Sequence, residues 1–170
     1  MSGARSRRAR KNVSTLWIME LVVRQRYPDR RSGIAFADDP RFEHNNDWWE
    51  SEELFKRPSV QFGTRTSYSF FVGDEEIARA LVCADRSPLG GYTLPRRAQT
   101  VHEIQFLEVR PDLRGQGLGI RVVESLRPLH LGWLAALALP QAEGFWHRTG
   151  WQRLLPDGHD GRSTAFVVFT

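Results

Sequence analysis

Residues 101–126 combine an apolar run, a glycine-rich turn and a helical repeat, and this combination constrains the fold more than any other part of the chain. The run 101–109 is rich in strand-forming residues, and apolar side chains then recur every four positions. The pattern predicts a strand over 101–109 and a helix over 117–127, which ends before Pro128 because proline cannot continue a helix. Any fold for this chain must therefore lead a strand through a tight turn directly into a helix.

The turn itself, Arg114-Gly115-Gln116-Gly117-Leu118-Gly119, is a candidate cradle for a diphosphate. Glycines let the main chain approach a ligand because no Cβ intervenes. Free N–H groups at the start of a helix, together with the positive end of its dipole, favour an anion there. A P-loop would need Gly-Lys-Ser/Thr, and a dinucleotide fingerprint would need a third glycine in place of Ile120, so neither pattern fits. An ordinary glycine-rich turn is the alternative interpretation.

Two motifs carry a resemblance to a known family. Arg114-x-x-Gly117-x-Gly119, after a strand that ends Glu108-Val109-Arg110-Pro111, resembles the acyl-CoA loop of the Gcn5-related N-acetyltransferase (GNAT) family. Phe145-Trp146 followed by Gly150-Trp151 is similar to that family's second signature, a short helix with Phe-Tyr, three residues and then Gly-Phe. The resemblance is carried by residues 60–170. It implies an α/β (α+β) fold with a mixed, mainly antiparallel sheet of six to seven strands, flanked by about four helices and splayed between the strands at 101–109 and 131–139.

The resemblance also implies an activity, that of an acetyl-CoA-dependent N-acyltransferase. Acetyl-CoA would be the acyl donor, and a primary amine would attack its thioester directly, without a metal. The pantetheine arm would lie in the splayed sheet against unpaired backbone groups of Leu107 and Val109, and a backbone N–H there would meet the oxyanion. The cofactor-binding residues that the resemblance implies are Leu107, Val109, Arg114, Gly115, Gln116, Gly117, Leu118, Gly119, Phe145 and Trp146.

Glu103 is the first candidate for the general base, and Glu108 is the second. Glu103 lies within Glu-Ile-x-Phe, which is similar to the base-bearing strand of the family's histone-acetylating members. Strict alternation would put Glu103 and Leu107 on one face of the strand and Glu108 on the other. At about 3.3 Å per residue Glu103 is roughly 13 Å from the proposed thioester site, so a water would relay the proton. A surface ion pair is the alternative role.

Trp146 departs from the family pattern, because many members carry a tyrosine there that protonates the departing thiolate. An indole N–H has no accessible proton to give. We predict that the thiolate leaves unassisted, since a thiol pKa of about 8.5 makes this tolerable. His147 is the alternative acid, or lies on the exposed side of its helix. A third alternative is weak turnover, which leaves open a non-catalytic CoA-binding or nucleic-acid-associated regulatory module.

The basic charge of the chain is concentrated at its start. Residues 1–11 carry five basic side chains and no acid, whereas the whole chain has 24 basic and 20 acidic residues. The sequence therefore predicts a flexible basic tail over 1–11 and a single domain over 12–170. A nucleic acid or an acidic partner bound by the tail is the alternative to a merely solvated extension.

Cysteine, histidine and hydropathy patterns restrict the remaining classes. The single Cys83, inside an apolar run, excludes an intramolecular disulfide and is expected to be a buried small hydrophobe. The histidines show no paired ligand spacing, so no metal is predicted. The apolar run 131–139 is too short to span a bilayer, and the run after Arg7-Arg8 lacks a cleavage site. We expect a cytoplasmic protein without membrane contact, and the resemblance admits a homodimer.

The rest of the chain is assigned from local pattern and turn signals. The acids and tryptophans of a predicted helix over 47–55 either attract a cationic amine or dock the helix and face water. The acceptor stays open among a small amine, a peptide N-terminus, a lysine side chain and an aminoacyl-tRNA. The other predicted elements are strands over 15–27, 68–72, 77–83, 131–139, 151–155 and 163–170 and a helix within 141–150.

Overall fold

Seven strands form one sheet in the computed structural model, which describes residues 20–26, 36, 39–43, 64–85, 89–95, 100–158 and 163–170. The strands are β1 (Leu21–Arg26), β2 (Thr64–Val72), β3 (Glu75–Asp85), β4 (Val101–Val109), β5 (Trp133–Ala138), β6 (Gln152–Leu154) and β7 (Thr164–Phe169). Their order across the sheet is β1-β2-β3-β4-β5-β7-β6. All neighbours are antiparallel except β4 and β5, which run parallel. The predicted mixed, mainly antiparallel sheet is confirmed.

Two α-helices, α1 (Leu118–Leu126) and α2 (Glu143–Arg148), occur in the described ranges. About four were predicted, so the helix count is lower in this part of the chain. The predicted helix over 47–55 and the basic tail over 1–11 lie outside the described residues. None of the helices in the described ranges is long and apolar enough to cross a membrane.

The parallel strands β4 and β5 separate over most of their length. They pair only at three positions, where Val101, His102 and Glu103 lie opposite consecutive residues of β5 that begin at Trp133. Beyond Glu103 no further pairing joins them, whereas β4 stays paired with β3 as far as Val109. The predicted splay between the two central strands is confirmed, and it opens the sheet towards the glycine loop.

A β-bulge at Gln105 lies at the start of this splay. Ile104 and Phe106 face consecutive residues of β3, Val82 and Leu81, so Gln105 has no opposite partner. An extra residue in one strand reverses the alternation of the side chains that follow it. The strict alternation expected from the sequence is therefore wrong beyond Ile104.

Because of the bulge, several side chains of β4 lie on a different face of the sheet from the one that strict alternation predicts. Glu103, Phe106 and Glu108 lie opposite Cys83, Leu81 and Arg79, which are alternate residues of β3 and share one face of the sheet. The two glutamates therefore lie on the same face, and not on opposite faces as predicted. Ile104, Leu107 and Val109 lie on the other face, where they contact the main core.

The main core lies between the sheet and α1. Leu118, Val122, Val123 and Leu126 are at most 2% exposed and pack on apolar side chains of the sheet. Burying one such side chain stabilises the fold by about 1.5–3 kcal/mol. These contacts account for the predicted apolar face of α1, and they hold the helix against the end of β4.

The opposite face carries smaller clusters. Phe36, Leu81 and Phe106 form one of them, and Arg79 is buried nearby with its guanidinium 4.1 Å from the ring centroid of Phe42. Cys83, at 1% exposed, is a buried side chain as expected. These contacts hold the segment 39–43 against the sheet beside the splay.

Candidate active site

The glycine loop, the end of β4 and helix α2 enclose a cleft of about 610 Å³. Leu107 and Val109 line one wall, and Phe145 and Arg148 of α2 line another. The loop contributes Arg114, Gly115, Gly117, Leu118 and Gly119. Eight of the ten predicted cofactor-binding residues thus lie around this one cleft. Gln116 does not line it, and its side-chain oxygen is buried without a partner in the described part of the chain.

The backbone of the loop shows why glycines occupy it. Gly115 and Gly117 have φ angles of 75° and 72°, a left-handed conformation that residues with a Cβ adopt at a cost. Gly119 has a different reason, because a Cβ there would lie 2.9 Å from Cε2 of Phe145. The first two glycines shape the turn, and the third lets α1 and α2 approach each other.

The start of α1 leaves donors facing the loop. In the described chain, the amides of Ile120 and Arg121 are the first of this helix to donate to a main-chain carbonyl, that of Gly117. The preceding amides, from Gly115 to Gly119, have no such acceptor there. Uncapped amides at a helix start are the groups that bind an anion.

Arg114 connects this cleft with a second one. Its Nε donates to the Val109 carbonyl at 2.9 Å, and its Nη2 lies 2.8 Å from Oε2 of Glu43 and 3.8 Å from Oε1 of Glu108. The Val109 carbonyl was expected to be unpaired and available to the pantetheine arm. This oxygen instead accepts one hydrogen bond from Arg114, which leaves its second lone pair for a ligand.

The second cleft, of about 470 Å³, lies in the splay between β4 and β5. Phe106 and Glu108 of β4 line it on the face opposite α1, and Leu137 and Leu139 line it from the β5 side. The two clefts share Leu107, Arg114, Ala142 and Phe145. They are therefore adjacent at the splay, and we refer to the two clefts together as the passage.

The two candidate bases occupy different ends of the splay. The Glu108 side chain is only 3% exposed, lines the second cleft and accepts a hydrogen bond of 2.7 Å from the Glu43 amide. Glu103 is the last residue of β4 that pairs with β5, and it lines neither cleft. Only Glu108 is brought into contact with the passage.

The second signature is split between the passage and the protein surface. Phe145 lines both clefts, and Trp146 is buried in the second, with its ring 4.9 Å from Phe145 and 5.4 Å from Trp151. His147 is exposed, lies 5.2 Å from the Phe166 ring and lines neither cleft. The histidine considered as an acid therefore faces away from the site.

Several residues of the site were not predicted. Glu43, Phe106, Leu137 and Leu139 line the second cleft, and Gln141 and Ala142 line the first. Their side chains carried no local sequence signal for a site. Because the bulge and the splay decide which of these side chains meet, local pattern could not identify them.

No family model and no curated protein matches the chain in sequence. Its fold is nevertheless the GNAT fold, so the resemblance of the two motifs is confirmed at the level of the fold. The Bacillus subtilis N-acetyltransferase YlbP, solved with coenzyme A, is similar, with a TM-score of 0.59 and 15% identity over 89% of this chain and 97% of that one.

Two further structures share the fold. AtaT complexed with acetyl-methionyl-tRNAfMet has a TM-score of 0.57 and 16% identity, and the match covers 89% of this chain and 95% of that one. AtaTR bound with acetyl-CoA has a TM-score of 0.51 and 16% identity, over 86% and 93% of the two chains. At such identities the likeness establishes the architecture alone.

Proposed function

We propose that this protein is an acetyl-CoA-dependent N-acetyltransferase that acetylates a primary amine by direct attack. The observation that carries the proposal is the pair of adjacent clefts at the splay of the sheet. A loop of unpaired amides stands at one end of it, and the Glu108 carboxylate stands at the other. Acetyl transfer between two molecules needs such an arrangement, because donor and acceptor must enter from different sides and meet at the thioester.

The donor occupies the first cleft. The amides from Gly115 to Gly119 bind the diphosphate of coenzyme A, and the positive end of α1 adds to its stabilisation. The pantetheine arm follows the edge of β4 that β5 has left, beside Leu107. The bound coenzyme A of YlbP and the acetyl-CoA of AtaTR support this assignment, since both proteins share the fold.

The acceptor occupies the second cleft, and Glu108 is the base we favour. The amine nitrogen attacks the thioester carbonyl carbon, and the new C–N bond forms as the carbonyl oxygen becomes an oxyanion beside the backbone N–H near Leu107. The C–S bond then breaks and coenzyme A leaves as a thiolate. Before the attack, Glu108 takes one proton from the substrate ammonium group, because it is the carboxylate that lines the acceptor cleft. The attacking nitrogen loses its other surplus proton to water as the C–S bond breaks. Glu103, on the same face, competes for this role through a water.

The leaving thiolate takes its proton from water. His147 lies outside both clefts, and the ring of Trp146 forms an apolar wall of the acceptor cleft. No side chain of the second signature thus takes the place of the family tyrosine. This arrangement supports unassisted departure of the thiolate.

The test is the release of free thiol from acetyl-CoA in the presence of a panel of primary amines. Replacement of a general base lowers the rate by about 10²- to 10⁴-fold. We expect that loss in Glu108→Gln, with coenzyme A affinity unchanged, and a smaller loss in Glu103→Gln. His147→Gln should keep the activity. The reverse order of the two glutamate variants would transfer the role of base to Glu103.

A non-catalytic module remains the competing function, because Trp146 replaces the family's acid. In that case acetyl-CoA would bind and no amine would release thiol from it. AtaT has been solved with an acetylated aminoacyl-tRNA, which makes a nucleic acid a partner worth testing here. Salt-dependent binding of RNA and DNA to the chain with and without residues 1–11 measures the contribution of the tail.

A further inference from the structure

The acceptor cleft has an apolar wall that no part of the proposed chemistry uses. Leu137 and Leu139, at 37% and 59% exposed, line it from the end of β5. Phe106 and Trp146 line it from β4 and α2. Exposed apolar side chains gathered in a concave site are the usual sign of an apolar ligand. The wall faces the same cleft as the Glu108 carboxylate, so an apolar group and an amine can be bound side by side.

The charge of the cleft limits what can lie next to that amine. Among the described residues that line it, Glu43 and Glu108 are acidic and Arg114 is basic, so the cleft carries one net negative charge. The guanidinium of Arg114 is engaged by Glu43 and by the Val109 carbonyl. An ammonium is attracted to such a site, whereas a second carboxylate on the ligand is repelled.

We infer that the acceptor is a primary amine on an apolar body that carries no free carboxylate. The inference rests on the proposed function and names its substrate class. An apolar amine, or the α-amino group of an apolar residue whose carboxyl is esterified or in an amide bond, has this chemistry. A free amino acid and a polar polyamine do not. The cleft, at about 470 Å³, accommodates a side chain of the size of leucine.

Three related amines test separately the need for an apolar body and the need for a masked carboxyl group. L-Leucinamide has both the apolar body and a masked carboxyl, glycinamide lacks the body, and L-leucine restores the carboxylate. Thiol release is measured with each, and kcat/KM is expressed per unprotonated amine. A hydrophobic pocket distinguishes substrates that differ by one methylene by about 10- to 200-fold. We expect leucinamide to exceed glycinamide, and also leucine, by at least about tenfold.

Two surface leucines provide a matched pair of variants. Leu139 and Leu155 are both 59% exposed, but only Leu139 lines the cleft. Leu139→Asn should lower the preference for leucinamide over glycinamide several-fold, and Leu155→Asn should leave it unchanged. Glu43→Gln should reduce the discrimination against leucine, because it removes one of the repelling charges.

The results separate this inference from the proposed function. Equal or better kcat/KM with glycinamide, spermidine or leucine overturns the substrate class, while it still confirms acetyl transfer. An equal loss of preference in the Leu139 and Leu155 variants also overturns it. Absence of thiol release with all of these amines, although acetyl-CoA binds, overturns the proposed function and this inference together.

Discussion

Gly119 and Gly144 are each the second residue of a helix, yet a side chain at the two positions would meet very different surroundings. A Cβ at Gly119 would lie 2.9 Å from Cε2 and 3.4 Å from Cζ of Phe145. A Cβ at Gly144 would meet no described atom closer than the Arg148 Nη1 at 3.9 Å. Substitution of either glycine by alanine therefore changes helix propensity equally but packing unequally.

The magnitudes follow from these two contributions. Alanine in place of glycine favours a helix by about 0.8–1 kcal/mol, whereas overpacking costs about 1–3 kcal/mol. We expect Gly144→Ala to raise the free energy of unfolding by up to about 1 kcal/mol. Gly119→Ala should lower it by up to about 2 kcal/mol, because the ring of Phe145 must shift. In a chain of this size 1 kcal/mol corresponds to roughly 2–4 °C in Tm.

The Phe145 ring also links packing to ligand binding. It lines both clefts, so a displaced ring changes the width of the passage. We expect Gly119→Ala to weaken coenzyme A binding several-fold and Gly144→Ala to leave it unchanged. Urea unfolding gives the stabilities, and calorimetric titration with coenzyme A gives the affinities.

A double-mutant cycle tests the assigned cause. Phe145→Leu removes the two ring atoms that the new Cβ would approach, so Gly119→Ala should cost less in that background by about 1 kcal/mol or more. Two results would refute the reasoning. One is a Gly119→Ala protein as stable as Gly144→Ala, and the other is a coupling energy below about 0.5 kcal/mol.

Two further predictions concern buried charge. Burial, and to a smaller extent the neighbouring His102, lower the pKa of His130 from 6.5 to about 4. Between these values the unfolded chain binds a proton that the folded chain does not, so the contribution of His130 to the free energy of unfolding is complete above pH 6.5 and is lost as the pH falls towards 4. Urea unfolding at several pH values should show that the free energy of unfolding falls by roughly 3 kcal/mol over this range. In His130→Asn the free energy of unfolding should depend less steeply on pH, and an unchanged dependence would contradict the assignment. Arg79, fully buried, pairs with Glu76 at 2.9 Å and lies 4.1 Å from the Phe42 ring, so Arg79→Ala should lower the free energy of unfolding by about 3–5 kcal/mol. Arg79→Met with Glu76→Gln should recover part of that loss, and no recovery would show that the ion pair is not the cause.

Local pattern was sufficient for the elements that carry the glycine loop. The strand at 101–109 has the predicted bounds, and the helix predicted over 117–127 runs from Leu118 to Leu126. Both depend on residues close in sequence, namely an apolar run, glycines with positive φ and a proline after the helix. The strand predicted over 131–139 is shorter, from Trp133 to Ala138, because only these residues pair with β7. Local chemistry thus determined where these elements lie, and it predicted a main-chain anion site at their junction.

The arrangement of the carboxylates needed the tertiary structure. One unpaired residue, Gln105, reverses the side-chain alternation of β4 and turns Glu108 to the same face as Glu103. The splay then leaves Glu108 at its open end and Glu103 at its closed end. A bulge results from how two strands pair, and a strand's own sequence shows only its period of two.

The sequence by itself determined the strand, the glycine turn and the helix, since each depends on backbone preferences within a few residues. The tertiary structure decided which side chains share the passage, among them Glu43, which lies far before both motifs in sequence, and Leu137 and Leu139, which lie outside them. It also placed His147 at the surface and paired Arg114 with Glu43, 71 residues away in the chain. Such contacts arise where segments distant in the chain pack together, and no local periodicity encodes them.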